Sequence, residues 1–352
     1  MEDREGGSRW PPPASLSDLP DCVLLMILVW LPPRDRLGGA RVCKRWNRLV
    51  REKVLWRHVD LIPYKMCSKS LWHLLRNYLR GSLRTLKAQG YINSVQKREV
   101  FTPALMQALG KQCPSLHHLC LKATDLRSLP YDCIPSSLTT LELSYCEIPS
   151  GWFKVPEGSQ PFQAYPKIEH LDIRNVPSFS DQHLFNVSAQ GTLKTLVLCS
   201  AYRVSDAGLQ RAASHLGKLE HLTLQFCGIG DSAALVIGRH MKNLRTLDLT
   251  GNFEMTTASL LCLSTLSLLE DLSLAHCRSF APENILSLCQ ALPRLRHLDL
   301  SGMLFKTETI RKILAGLPGC VVDQHYPPTC PLETPTMSPR TLFNTLRRNH
   351  QR

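Results

Sequence analysis

A six-residue phrase, L-x-x-L-x-L, returns nine times between Leu83 and Leu300. Its copies begin at Leu83, Leu116, Leu138, Ile168, Leu193, Leu219, Leu244, Leu269 and Leu295, with Ala88 and Ile173 replacing the final leucine in two of them. From Ile168 onward the spacing is 25 or 26 residues. A single copy of that length cannot bury its own apolar side, so the copies must stack on one another as a solenoid. Side chains alternate along a strand. The fourth and sixth positions of the phrase therefore enter the core, while the third, fifth and seventh face the opposite side of the sheet. A chain built this way presents a long surface for holding another molecule.

The period is that of leucine-rich repeats, so the expected fold is α/β, a leucine-rich-repeat solenoid (horseshoe), carrying a small N-terminal all-α module. Residues 83–326 are assigned to about nine repeats plus a closing strand at Cys320-Val321-Val322. Two spacings are longer, 33 residues after Leu83 and 30 after Leu138; the second holds Pro149, Trp152, Phe153, Pro156, Pro161 and Pro166 and reads as an irregular insertion. The connector Ser205-Asp206-Ala207-Gly208-Leu209, and the segments after Ile229 and Ser279, have the polar start and apolar spacing of convex-side helices.

Upstream, residues 16–59 read as helical. Asp21 is placed to cap a helix with Leu24, Ile27, Leu28 and Leu31 on one face, and Pro32 ends it. Asp35 is placed to cap a second helix, and a third carries Val42, Cys43, Trp46 and Leu49. Residues 60–82 hold a bridging helix over 68–80, with Ser68 as cap and Gly81 past its end, suited to covering the first repeat. Residues 1–15 read as a disordered leader and 327–352 as a proline-rich linker and basic tail, where Thr334-Pro335 and Ser338-Pro339 are common linker dipeptides and candidate phosphorylation sites.

The longest apolar run, Val23 to Leu31, is nine residues, against about 20 for a bilayer span. No secretory signal is visible, and the 14 cysteines include no Cys-x-x-Cys pair, so reduced thiols in the cytoplasm and/or nucleus are expected. In that setting Asn186-Val187-Ser188 would go unglycosylated.

The helical zone reads Leu19-Pro20, Ile27-Leu28, Leu31-Pro32, then Val42-Cys43-Lys44-Arg45-Trp46, then Leu55-Trp56. This resembles the F-box, with Leu28 standing where many F-boxes carry Phe. Joined to leucine-rich repeats, the chain resembles the F-box/LRR family, and Val54 to Tyr91 is similar to a short mammalian member. The repeats resemble the cysteine-containing subtype through Cys146, Cys227 and Cys277, with Asn252 in the same place and Thr124, Val176, Ala201 and Met303 departing. The resemblance implies a non-catalytic substrate-recognition subunit of an SCF ubiquitin ligase. Its F-box would bind Skp1, and through it a cullin and a RING subunit, while the repeats capture a protein target for ubiquitylation and typically proteasomal degradation. Carried over residue by residue, the Skp1-facing positions would be Leu19, Pro20, Leu24, Ile27, Leu28, Leu31, Pro32 and Val42. The alternative is a leucine-rich-repeat scaffold or inhibitor acting without a cullin, its helical module serving only as a cap.

Charge agrees with a protein partner. The chain carries a formal net charge of +13, and residues 34–57 hold nine basic side chains against Asp35 and Glu52, a net of +7. An acidic partner would be steered there. Nucleic acid is the rival explanation of a basic helix, but no nucleic-acid motif is recognised.

The concave positions carry three positive and five negative charges with four histidines. The candidate substrate face is His118, Glu142, His170, Asp172, Arg174, His221, Asp248, Asp271, His297 and Asp299, suited to a polar segment of a protein, including a basic one. The His170–Asp172 and His297–Asp299 neighbours are expected to strengthen binding at mildly acidic pH. Strand spacing of about 4.8 Å puts His118, His170 and His221, on alternate repeats, roughly 10 Å apart, too far for one zinc ion. It also keeps Cys146, Cys227 and Cys277 from disulfides, so small buried packing at the turn is their expected role. No cofactor, metal, nucleic acid or membrane is expected. There is no G-x-S-x-G, P-loop, G-x-G-x-x-G or paired RING ligand set, and no cysteine stands among activating charges.

Overall fold

The computed structural model describes residues 16–64, 66–92, 100–155 and 165–324. The leader 1–15 and the linker and tail 327–352 lie outside the described residues. The module contains α1 (Asp21–Trp30), α2 (Pro33–Gly39) and α3 (Lys44–Val50). It runs into strand β1 (His58–Asp60), then α4 (Ser68–Leu74), whose last turn widens into a π-turn over Leu75–Leu79. The repeats follow as β2 (Thr85–Gln89), α5 (Pro103–Gln112), β3 (His118–Lys122), β4 (Thr140–Ser144), β5 (His170–Arg174), α6 (Asp181–Ser188) and β6 (Thr195–Cys199). Then come α7 (Asp206–Ala212), β7 (His221–Gln225), α8 (Asp231–His240), β8 (Thr246–Asp248), α9 (Thr257–Leu263), β9 (Asp271–Ser273), α10 (Pro282–Ala291), β10 (His297–Asp299), α11 (Thr307–Gly316) and β11 (Val321–Asp323).

The eleven strands form one sheet in sequence order. All pairs are parallel and in register, so equivalent positions line up from His58 and Thr85 through to His297 and Val321. The leucines at the fourth and sixth positions are buried, as period-two alternation requires. Among the described residues between β3 and β5 the connectors carry one short 3-10 turn, Tyr131–Cys133, and Trp152 and Phe153 of the irregular insertion pack against Tyr131. Ser205 caps α7 by accepting from the Gly208 N–H at 3.2 Å.

The sheet begins one strand before the Leu83 boundary. Trp56-x-x-Val59-x-Leu61 is a tenth copy of the phrase, its first two leucines replaced, and all three side chains are buried. Three expected caps also differ. Asp21 and Asp35 lie inside the first turns of α1 and α2, whose cap positions are Pro20 and Pro32, and Cys67 rather than Ser68 precedes α4. A proline pre-set at extended φ delivers the chain into a helix without a side-chain cap.

One residue past the seventh position of the phrase, in the repeats of β3 to β10, the chain turns through left-handed backbone, at Ala123, Tyr145, Asn175, Ser200, Phe226, Gly251, His276 and Gly302. In the first seven of these the N–H donates to the carbonyl of the next repeat, for example Tyr145 to Arg174 and Phe226 to Thr250, both at 2.9 Å. The ladder is thus extended while the chain leaves the sheet. The following residue ties the turn down. Cys146, Cys227 and Cys277 donate their thiols to the carbonyls of Leu121, Leu198 and Leu249 at 3.3–3.4 Å. Asn252 does more, donating to the Leu224 and Leu249 carbonyls and accepting from the Cys227 and Gly228 N–H groups. The expected packing role therefore includes satisfying backbone that water cannot reach.

Candidate functional site

Helix α1 is apolar at every position after Asp21, so it has an apolar face on both sides. Leu24 and Leu28, four residues apart, face inward at 1% exposure each. Their expected contact role is corrected: they hold the helix to its own module and offer no surface to an adaptor. The opposite face carries Met26 at 68% and Trp30 at 87% exposure, flanked by exposed Ile27 and Val29, with Val42 at 68% nearby in sequence order after α2. Pro20 and Pro32 are exposed, and Leu19 and Leu31 are half-buried. Met26, Val29 and Trp30 were not among the residues carried over from the F-box pattern. A helix apolar all round, on a module too small to enclose it, was the available signal.

The basic zone divides three ways. Arg36 is buried, donating to the backbone carbonyls of Leu28, Val29 and Leu55 and lying 5.8 Å over the Trp56 ring. It belongs to the module's interior and not to a patch facing an acidic partner. Arg45 and Arg48 pair with Asp21 and staple α3 to α1, holding that carboxyl below the usual range, and Arg45 also donates to the carbonyls of Ser17 and Leu19. Arg34, Arg41, Lys44, Arg51, Lys53 and Arg57 remain exposed.

On the concave face, parallel register produces a histidine–threonine ladder. His58, His170 and His221 share hydrogen bonds through Nδ1 with Thr85, Thr195 and Thr246 on the next strand, at 3.1, 2.9 and 3.1 Å. His118 instead meets Glu142 through Nε2 at 2.8 Å. His297 lies 4.0 Å from Asp271, and Asp172 is paired with Arg174 at 2.8 Å. The expected His170–Asp172 and His297–Asp299 pairs are therefore not formed, and the acid strengthening inferred from them loses its basis. Residues two apart on a strand are about 6.6 Å apart, whereas the neighbouring strand is only about 4.8 Å away, so short side chains meet across strands.

Glu142 is half-buried, and the His118 hydrogen bond holds its carboxyl down from 4.5 to about 2. Burial raises Asp172 despite Arg174. Burial, reinforced by Glu142, pushes the Cys120 thiol up to about 12, so it stays protonated beside this pair. A depressed carboxylate contributes stability above its unfolded pKa and loses it as pH falls through the folded one. Urea unfolding should thus show a deficit for Glu142→Gln at pH 6 that closes as pH falls from 4.5 to about 2. A deficit unchanged across that window would contradict the assignment.

Among the described residues no helix is long and apolar enough to cross a membrane. The F-box-like family matches residues 16–62. F-box/LRR-repeat protein 12 of Homo sapiens is 39% identical over 327 residues, covering 91% of this chain and 98% of that protein, and the Mus musculus protein of the same name gives the same figures. Among solved structures, the yeast Rad7 and Elc1 complex aligns with a TM-score of 0.47 at 19% identity, over 72% of this chain and 70% of that one. A module with an uncovered apolar helix face, continuous with a parallel ladder of repeats and 39% identical over 91% of the chain to the human and mouse F-box/LRR-repeat proteins, places the chain in the F-box/LRR-repeat family.

Proposed function

We propose that the protein is the non-catalytic substrate-recognition subunit of a Skp1-cullin-F-box ubiquitin ligase. The uncovered apolar face of α1 carries this reading. Apolar side chains this exposed on a small module mark a surface completed by a partner, and the surrounding arginines and lysines suit an acidic one. Pro20, Ile27, Leu31, Pro32 and Val42 join Met26 and Trp30 on the adaptor-facing side, with Leu19 at its margin. Strand β1 makes the module and the repeats one sheet, so a target on the concave face is held at a fixed distance from the adaptor. Rigid placement is the contribution, raising the effective concentration of the target at a ligase whose chemistry resides in its other subunits.

Purified chain is expected to co-elute with Skp1 on size exclusion, and joint substitution of Leu19, Pro20 and Leu31 by polar residues to abolish this. Retained co-elution after substitution would overturn the assigned surface. No co-elution of the intact chain would favour a repeat scaffold that acts without a cullin.

A further inference from the structure

Helix α2 of the module and helix α4 at the start of the repeats are not packed on each other as α8 and α9 are. A cavity of about 490 Å³ opens where they meet. The chain leaves β1 through a tight turn, in which the Ile62 N–H donates to the Asp60 carboxylate at 2.8 Å and the Tyr64 N–H to the Leu61 carbonyl at 3.0 Å. The connector that follows passes both helices. Leu37 from α2, Leu61, Tyr64 and Met66 from the connector, and Leu74 from α4 form the cavity wall, each of them buried or half-buried.

The mouth differs in kind. Arg34, Lys69, Ser70 and His73 line the same cavity and are all exposed. Three of the four are basic side chains, and no carboxylate lines the cavity. Arg45 and Arg48 of the module are neutralised by Asp21, whereas Arg34 and Lys69 have no ion-pair partner among the described residues. His73 shares a hydrogen bond through Nδ1 with the Asn77 amide at 3.2 Å, which leaves Nε2 open. An apolar wall with nothing against it forfeits dispersion contacts, and cations grouped beside it repel one another without compensation.

From this pairing of wall and mouth we infer that the cavity binds a small amphiphilic anion, an aliphatic chain ending in a carboxylate. The chain lies against the leucines and Met66, whose side chains adapt to a flexible body, and the head sits at the mouth between Arg34 and Lys69. The volume falls within the range of about 300–1,000 Å³ usual for small-molecule sites. At about 30 Å³ for a water-sized atom it admits roughly 16 non-hydrogen atoms. Because α2 belongs to the module and α4 to the repeats, an occupant ties the two together. Occupancy needs neither adaptor nor target, so it can fail while the proposed function stands, and the reverse.

Isothermal titration of decanoate into the full chain, below the concentration at which it forms micelles, tests the site. Decylammonium, the same chain with the opposite head, is the control. Decanoate is expected to bind once per chain, at least about tenfold tighter than decylammonium, and to raise the melting temperature as it saturates. Arg34→Gln combined with Lys69→Gln should weaken decanoate about tenfold, while Arg41→Gln, on the same module but outside the cavity, should leave it unchanged. Ser70→Trp, at an exposed position on the mouth, should block decanoate by filling the space. Equal affinity for the two heads, a loss that Arg41→Gln shares, or binding that survives Ser70→Trp would overturn the site. Displacement of decanoate by Skp1 would assign the cavity to the adaptor interface and overturn a separate ligand site. Circular dichroism of each variant separates lost binding from lost fold.

Discussion

Trp30→Glu is expected to lower the affinity of the chain for Skp1 at least 100-fold while leaving its unfolding free energy within about 0.5 kcal/mol of the native value. The indole is 87% exposed and touches little of its own module, so its removal costs the free chain almost nothing. In a complex it would bury about 200 Å² of aromatic surface, and a glutamate there places a charge where no water can solvate it. About 3 kcal/mol separates the two states, which is the 100-fold. Isothermal titration with Skp1 and a urea melt of the same preparation read both halves of the prediction. Affinity unchanged by the substitution would remove α1 from the interface.

Arg36→Ala should behave in the opposite way, destabilising the module by about 3–5 kcal/mol and weakening adaptor binding only through unfolding. The guanidinium satisfies three backbone carbonyls, from Leu28, Val29 and Leu55, inside an otherwise apolar interior. Burial depresses its pKa from the ordinary arginine range, but an arginine remains charged there. Removing it takes a donor from the Val29 and Leu55 carbonyls, leaves the Leu28 carbonyl with only the Leu31 N–H, and opens a void under Trp56. Arg36→Met should be milder, because it refills volume without restoring the hydrogen bonds. A differential melt in which Arg36→Ala lost no more than an exposed arginine such as Arg34→Ala would contradict this account.

The repeat register was legible residue by residue. Every assigned third and fifth position from Thr85 to Asp299, and the seventh as far as Gln225, pairs with its counterpart on the next strand and so shares one side of the sheet, because a strict period of two leaves no freedom once the leucines are buried. The strand before Leu83 was not legible, since Trp56 and Val59 hide the phrase. What each polar side chain touches was less legible still. His118 finds Glu142 while His170 and His221 find threonines, a choice made by cross-strand geometry that no spacing along one chain encodes. On the module, the family pattern supplied the α1 positions without saying which way they face. Leu24 and Leu28 match it as well as Ile27 does, and only packing separates the core residues from the exposed ones. The value of Arg36 was misread for the same reason, because a charge count treats every arginine as exposed.

One face of α1 is expected to meet the adaptor while the repeats remain free for a target. Hydrogen exchange of the chain with and without Skp1 tests it directly. Protection is expected over α1 and around Val42, with the strands β7 to β11 exchanging as they do in the free chain. Protection confined to the concave strands, or none over Asp21–Trp30, would contradict it.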